Sequence, residues 1–515
     1  MRAYSKLLLI GLLSFFSFSG HCLSSGPFKL ANALELPDKF TLQGTHRTRY
    51  ETLSHQYRNT LGGSDQILVQ KTTLFASVDL EPFEVAVEIG DSRAYLDDDG
   101  TPMSTTHVNP LELIQGYISA KQRNLFKDGD KSTLNVGRFT LDMGSGRLVA
   151  RTKFRNTVNS FTGVEWKWKN NTGDQLHFFY TMPVNRSPNS IAELRRNSIK
   201  FDKETGATTL WGINYSSDRL PLGHRGEVYI LGLDEDDTTD TRTLNRKIVT
   251  SGFRFSFPKK VGAVDYLIES IFQVGEVRSS KASKRNLDHF AHFQHVEIGY
   301  TGKSKQKIRS ALEYDYASGD NSSLDQKNGR FDSLYGARRF EYGPVGIFGA
   351  FNRSNISSPG IRISMLPNNR SQLMIGYRGF WRANNGDSWV AAKISDPTGT
   401  ASSFLGQQIE ARLRWELAAQ NSLLEIGTAY IRSGKYTRDT GNKAYKKDIF
   451  YSIKHSLSFT IISIVIAYIL FIPFHLNFLS PFSGFELSNY TTKLRDFIEI
   501  YYFGIFIILV FLLVS

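Results

Sequence analysis

A strand pattern in which charged residues alternate with apolar ones recurs along this chain and limits what it can fold into. Between Gln408 and Leu417 every even position is polar or charged and every odd position is apolar. Successive side chains on a strand point to opposite faces, so this segment predicts one ionic face and one apolar face. A transmembrane barrel turns the apolar face to lipid and the ionic face to its lumen, whereas a soluble sheet turns them to a core and to water.

The same alternation recurs far from this segment, which favours the barrel. It is clear over residues 39–51, 261–274, 305–316 and 370–382. Runs of about ten residues, enough to cross a membrane as a tilted strand, number roughly 16 to 18. Irregular polar stretches separate these runs, as expected for long loops and short turns at opposite ends of a barrel. The sequence therefore predicts an all-β fold, a transmembrane antiparallel β-barrel, over residues 38–440.

Both ends of the chain depart from this pattern. Residues 1–25 combine a basic start, a short apolar run and small residues, which is typical of a cleaved signal peptide. Residues 441–515 form an atypical tail with two apolar segments, 456–479 and 497–514, each long enough to span a membrane as a helix. We interpret the tail as the product of an altered reading frame or truncated gene that replaced the last strand, and the alternative is a genuine extension.

Composition favours a channel for anions. The formal net charge is +13, and the positive residues are spread over the predicted strands rather than gathered in one patch. Such a charge favours an anionic solute, and its distribution argues against a nucleic-acid partner. The only cysteine, Cys22, falls in the predicted signal peptide, so neither a disulfide framework nor thiol chemistry is expected.

The chain shows no convincing catalytic or metal site. His289, His292 and His295 are three residues apart, so a strand would divide them between both faces, which does not suit a triad or a metal. The acidic runs 97–99 and 234–237 could bind calcium in loops, but solvated loop is the stronger interpretation. We therefore predict no enzyme activity, no cofactor and no metal.

Several ordered motifs resemble the alginate-export family of outer-membrane porins. They are Gly137-Arg138-Phe139, the runs 151–157 and 160–164, and the run 312–320 followed by 331–336. The resemblance covers roughly residues 38–440. It implies a monomeric barrel of about 18 strands in the outer membrane of a Gram-negative bacterium. It also implies a narrow, arginine-rich lumen that passes a polyuronate outward.

The charged parity of the strands predicts which residues line this lumen. Arginine binds carboxylates through two parallel hydrogen bonds and keeps its charge, so arginines in series suit an acidic polymer. The parity predicts as cations of the substrate path Arg47, Arg49, Arg254, Lys305, Lys307, Arg309, Arg378, Arg412 and Arg414. The resemblance adds Arg138, Arg151 and Arg155, although Arg138 needs a bulge near Gly137 to face inward. The predicted acidic partners are Glu313, Asp315, Asp265, Glu269, Glu410 and Glu416. These pairs could equally serve only to satisfy charge inside the barrel.

Together these patterns predict an anion-selective outer-membrane channel, surrounded by membrane lipid, that passes an acidic polysaccharide or a small acidic solute by passive diffusion. Periplasmic export partners are expected if the solute is a polymer. The alternative is a defective or structural barrel product whose altered C-terminus prevents normal insertion.

Overall fold

The computed structural model of the chain describes residues 31, 34–58, 61, 64–98, 100–239, 242–322, 324–418, 420–442 and 449–460. The predicted signal peptide, most of the apolar segment 456–479 and the whole of 497–514 lie outside these residues.

The described residues form one 20-stranded sheet with very little helix. The strands are β1 (Phe40–Ser54), β2 (Asp65–Asp79), β3 (Phe83–Tyr95), β4 (Asn109–Arg123), β5 (Lys131–Phe139), β6 (Phe161–Lys169), β7 (Asp174–Asn185), β8 (Lys203–Glu204), β9 (Thr208–Leu220), β10 (His224–Glu235), β11 (Lys247–Phe257), β12 (Val264–Arg278), β13 (Asn286–Thr301), β14 (Arg309–Ala317), β15 (Lys327–Asn328), β16 (Ile356–Asn368), β17 (Ser371–Trp381), β18 (Phe404–Ala418), β19 (Ser422–Ser433) and β20 (Ile449–Thr460). The helices are α1 (Ile191–Arg195), α2 (Arg339–Tyr342) and α3 (Lys435–Asp439), with 3-10 turns at Pro221–Gly223 and Val390–Ala392. Within the described ranges, none of the helices has the length and apolar character needed to span a membrane.

Each long strand pairs antiparallel with the next long strand along the chain, so the predicted antiparallel all-β fold is confirmed. The two-residue strands β8 and β15 are additions at the ends of β7 and β13. The last strand, β20, pairs with β19 on one side and with β1 on the other. Strand pairing therefore continues past residue 440 and reaches Thr460.

Burial alternates along the strands with the parity that the sequence predicts. In β14, Arg309, Glu313 and Asp315 are buried, whereas Leu312 and Tyr314 are exposed. The exposed positions of the other strands are likewise rich in Ile, Val, Phe and Tyr. Apolar side chains that face outward and charged ones that face inward are the arrangement of strands in lipid, the reverse of a soluble sheet.

One predicted strand needs correction at its start. Lys305 and Lys307 lie in the exposed turn between β13 and β14 and not on the inner face. The backbone of Lys307 is left-handed, with φ of 48°, and its N–H donates to the carbonyl of Ser304 at 2.9 Å. This tight turn interrupts the extended backbone on which the alternation depends, so the predicted parity begins only at Arg309.

The connections are short at one end of the sheet and long at the other. Short turns such as 80–82, 170–173 and 369–370 alternate with longer segments such as 382–403. Outer-membrane barrels place the short turns in the periplasm and the long loops outside the cell. Two of the long connections fold inward: loop A (residues 140–160, between β5 and β6) is largely buried, and loop B (residues 318–355, between β14 and β16) is buried mainly over residues 341–355.

The apolar core lies inside the curved sheet, where loops A and B pack against the inner faces of the strands. Leu141, Met143 and Leu148 from loop A are buried in the same cluster as Phe348 and Phe351 from loop B. The ring of Phe351 stacks on that of Phe380 from β17 with their centroids 3.6 Å apart. Burial of so many aromatic and aliphatic side chains fixes both loops across the interior.

Candidate functional site

Loops A and B join through backbone contacts in the middle of the structure. Val149 and Tyr335 form a parallel bridge, and the N–H of Tyr335 donates to the carbonyl of Leu148 at 2.8 Å. A Cβ atom at Gly336 would lie 1.7 Å from the carbonyl oxygen of Arg147. Only glycine therefore permits this approach of the two loops, and together they narrow the interior.

Arg147 connects loop A both to a strand and to loop B. Its guanidinium is 2.5 Å from Glu269 on β12 and 2.6 Å from Glu341 in loop B. Burial alone would lower the pKa of Arg147, but Glu341 and Glu269 outweigh it and hold the pKa above its ordinary value. Arg353, which is fully buried, also pairs with Glu341. Glu269 faces inward as the strand parity predicts. Arg147 and Arg353 lie in loops, where no strand parity identifies inward residues.

The inner faces of β10 to β17, here called the paired side, place every described arginine beside a carboxylate. Arg309 pairs with Asp265 and, at 2.6 Å, with Glu297. Arg378 lies 2.7 Å from both Glu313 and Asp315. Three further pairs are Arg254 with Glu227 at 2.5 Å, Arg362 with Glu313 at 2.8 Å and Arg225 with Asp218 at 3.5 Å. The structure thus brings together the predicted Arg309, Arg378, Asp265, Glu313 and Asp315.

The inner faces of β1 to β3 with loop A, here called the cationic side, are arranged differently. Arg47 on β1 lies directly opposite Lys71 on β2. Two pairs are present nearby, Arg49 with Glu51 at 2.7 Å and Arg151 with Glu88 at 2.5 Å.

Three cations on this side have no carboxylate partner. Among the residues that the structure describes, Arg47, Lys71 and Arg155 form no ion pair. Arg47 instead donates to the backbone carbonyls of Lys153 at 2.9 Å and of Arg155 at 3.1 Å. Lys71 is within electrostatic reach of Arg47, Arg151 and Arg155, with Glu88 as the one acid. Like charges directly opposite on neighbouring strands are unfavourable, and no ion pair offsets the opposition of Arg47 and Lys71 among the described residues.

Arg155 has two further cationic neighbours in loops. Burial, followed by Arg186 and Arg338, lowers the pKa of Arg155 well below its ordinary value. Burial also lowers the pKa of Arg186 and of Arg338. Both Arg155 and Arg186 donate to the amide oxygen of Asn159, Arg186 at 2.8 Å. A neutral amide satisfies the hydrogen bonds of these arginines without neutralising their charge.

Arg138 is a correction to the predicted path. The ladders on both sides of β5 run without a shift in register, so no bulge reverses its direction. Arg138 keeps the parity of the exposed Leu134 and Val136. It pairs with Glu112 at 2.8 Å and with Glu204 at 2.7 Å. The charge of Arg138 is therefore satisfied by these two ion pairs and does not point into the lumen.

The charged pattern in β18 occupies the predicted face but is unevenly buried. Gln408 and Glu410 are buried, and Arg412 follows on the same face at intermediate burial. Arg414 lies 3.5 Å from Glu425, with 43% of its side chain exposed. Glu416 is exposed near the turn that leads to β19. It therefore lies at the end of the strand and is not one of the buried acids.

A cavity of about 1010 Å³ extends from the joined loops towards the short turns. Arg147 and Asp142 of loop A line one part of it, and Pro258 of the turn between β11 and β12 lines another. The cations that line the remainder are Lys131, Lys167, Lys169, Arg225, Arg254 and Lys259. The cavity therefore leads from the turn end of the sheet to the narrow region.

A family model described as alginate export matches residues 38–451. The chain belongs to the alginate export family. A comparison with curated protein sequences found no match. Membership of this family, together with the outward apolar face of the strands, identifies the protein as an outer-membrane channel of a Gram-negative bacterium.

Solved structures share the fold of this alginate export family member at low sequence identity. OccK8 (OprE) of Pseudomonas aeruginosa has a TM-score of 0.51 and 11% identity over 82% of this chain and 98% of that chain. A BenF-like porin from Pseudomonas fluorescens Pf-5 has a TM-score of 0.50 and 12% identity, over 81% and 98%. OpdO of Pseudomonas aeruginosa has a TM-score of 0.50 and 13% identity, over 83% and 98%. These likenesses concern the fold alone.

Proposed function

We propose that this protein is an anion-selective channel whose arginine-rich lumen passes an acidic polysaccharide or a smaller acidic solute by passive diffusion. One observation carries the proposal: Arg47, Lys71 and Arg155 gather on the inner face without carboxylate partners. An anion that entered between them would offset their mutual repulsion, whereas a cation would increase it.

The arrangement also suits release of the solute. A channel needs sites that attract its solute without trapping it, so several moderate sites in series are better than one strong site. Towards the turn end, cations such as Lys131, Lys167 and Lys259 line the 1010 Å³ cavity together with acids such as Asp218 and Glu297. On the opposite side each arginine is already occupied by a carboxylate, which limits how tightly a polyanion is held there.

We further propose that the long strands close into a monomeric barrel. Two of the 20 strands, β8 and β15, are only two residues long. The other 18 match the number expected from the family resemblance. Pairing of β20 with both β19 and β1 supports closure, because a barrel leaves no unpaired strand edge in lipid. The defective-product alternative predicts instead that the full-length chain fails to fold in the outer membrane.

The test is the reversal potential of the full-length protein in planar bilayers under a KCl gradient, together with block by oligouronates. Wild type should favour chloride and be blocked more strongly by longer oligouronates. The double variant Lys71→Gln/Arg155→Gln should lose most of both effects. The matched control is Lys281→Gln/Lys284→Gln, which removes the same charge from an exposed connection between β12 and β13. Cation selectivity of wild type, or equal behaviour of the two double variants, would contradict the proposal.

A further inference from the structure

Two neighbouring short turns carry a concentration of positive charge that the narrow region does not explain. The turn between β11 and β12 (residues 258–263) and the turn between β13 and β14 (residues 302–308) contain five lysines and no acidic residue. The lysines, here called the lysine rim, are Lys259, Lys260, Lys303, Lys305 and Lys307. Two other short turns carry acids, since 80–82 contains Glu81 and 124–130 contains two aspartates with one lysine.

The rim is an ordered surface and not two independent turns. The N–H of Gly262 donates to the carbonyl of Thr301 at 2.7 Å, and Val261 forms a parallel bridge with Thr301. A Cβ atom at Gly262, whose φ is +77°, would lie 2.8 Å from the Cε atom of Lys303. The side chain of Lys303 therefore extends across the neighbouring turn, which brings the lysines of both turns together.

These lysines are exposed and almost without acidic partners. All five are exposed, and among the described residues the only carboxylate in ion-pair contact with any of them is Glu297, 3.5 Å from Lys259. An ammonium group that forms no ion pair within the protein exerts its full electrostatic field on an anion dissolved in water. At about 0.1 M salt that field extends roughly 10 Å from the surface.

The rim is continuous with the entrance to the interior. Lys259 belongs to the rim and also lines the 1010 Å³ cavity, next to Pro258 and Phe257. Arg254, on β11 before this turn, lines the same cavity. A negatively charged chain held at the rim is thus next to a cavity that carries further cations, although acids such as Glu227 and Glu297 line it as well.

We propose that the lysine rim is a capture surface for an anionic polymer on the periplasmic side of the channel. The inference rests on the proposed function, and it adds the residues that would first bind the polymer and the side on which they lie. A polymer with a carboxylate on each unit can contact several ammonium groups at once, whereas a small acid contacts one or two. The rim should therefore raise the rate at which a polyanion enters from the turn end, and should matter little for entry from the loop end.

The experiment measures the association rate of blocking by an oligouronate added to one side of oriented channels in neutral-lipid bilayers. The rim variant is Lys260→Gln/Lys303→Gln/Lys305→Gln/Lys307→Gln, which spares the cavity residue Lys259. The matched control, Lys281→Gln/Lys284→Gln/Lys327→Gln/Lys393→Gln, removes four exposed lysines from the long-loop end. Both variants are first shown to be folded by heat-modifiable migration on gels.

The rim variant should lower the association rate from the turn side roughly tenfold at about 0.1 M KCl, and the control should not. An unchanged rate, or an equal fall from both sides, would overturn the proposal. A fall that appears only in bilayers containing phosphatidylglycerol would assign the rim to lipid headgroups and also overturn it. The reversal potential of the rim variant in 1 M KCl, where screening extends only about 3 Å, tests the proposed anion selectivity separately.

If oligouronates do not block wild type from either side, polymer capture is wrong even if chloride selectivity remains. If wild type is not anion-selective, the proposed function fails first, whatever the rim variant does. The two failures are therefore distinguishable in the same set of recordings.

Discussion

The two sides of the interior use the same residue types for different purposes. On the paired side, Arg378 is held between Glu313 and Asp315 at 2.7 Å from each. On the cationic side, Arg47 faces Lys71 across neighbouring strands, and neither has a carboxylate partner among the described residues. A buried ion pair fixes structure, whereas a cation without a partner retains the capacity to bind an anion.

This difference shows why a count of inward arginines is a poor guide to a substrate path. Arg309 and Arg378 satisfy the predicted parity as well as Arg47 does, yet their charge is already matched by neighbouring acids. The net field across the interior therefore points from the cationic side to the paired side. Four predictions test the comparison, in order of decreasing effect.

Removal of an arginine from the paired side should have the largest effect on stability. Arg378→Met would leave Glu313 and Asp315 buried without their common partner, at a cost of about 3–5 kcal/mol. Urea unfolding in detergent measures this. The control Lys71→Met removes a cation that has no carboxylate partner, so we expect a change below about 1 kcal/mol. Equal losses in the two variants would contradict the distinction between the sides.

His107, in the connection before β4, contacts the cationic side through its carbonyl, which accepts from Asn156 of loop A at 2.7 Å, and should make the protein sensitive to acid. Burial, opposed in part by Glu51, lowers the pKa of His107 from 6.5 to about 4. Between these values the unfolded chain holds more protons than the folded one, so the free energy of unfolding falls as pH decreases from about 6.5 to about 4. The loss is roughly 3 kcal/mol at most. His107→Gln should remove it, and an unchanged pH slope of urea midpoints in that variant would refute the assignment.

A new cation without a partner can be created on the paired side. Glu227→Gln removes the carboxylate that lies 2.5 Å from Arg254, which lines the large cavity. The chloride-to-potassium permeability ratio should rise about fivefold, since one uncompensated charge near the path contributes about 1 kcal/mol. Reversal potentials measure this ratio. The double variant Glu227→Gln/Arg254→Gln restores neutrality and should return the ratio to that of wild type; a persistent rise would show that charge is not the cause.

The smallest effect is expected at Arg414, despite its place in the clearest alternating segment. Its side chain is 43% exposed and 3.5 Å from Glu425, and such surface pairs contribute little. Arg414→Ser should change the free energy of unfolding by less than about 0.5 kcal/mol. It should also change chloride selectivity less than Lys71→Gln does. A larger effect than that of Lys71→Gln would move the main anion contact from the cationic side to β18.

The residue pattern alone predicts the class of fold and the direction of most strand residues. Alternation with a period of two is a local property, so Arg309, Glu313 and Asp315 could be assigned to one face without knowing their neighbours. The same property failed where the backbone leaves the extended conformation, as at Lys307. The family motifs identified the alginate export family because they are ordered stretches of sequence.

Which inward charges have an ion-pair partner depends instead on how distant segments pack in three dimensions. The pairing of Arg147 with both Glu269 and Glu341 depends on loops A and B folding back between strands far apart in sequence. The juxtaposition of Arg47 and Lys71 depends on the register of β1 against β2. Contacts of this kind are set by the packing of distant segments, and residue periodicity carries no information about them.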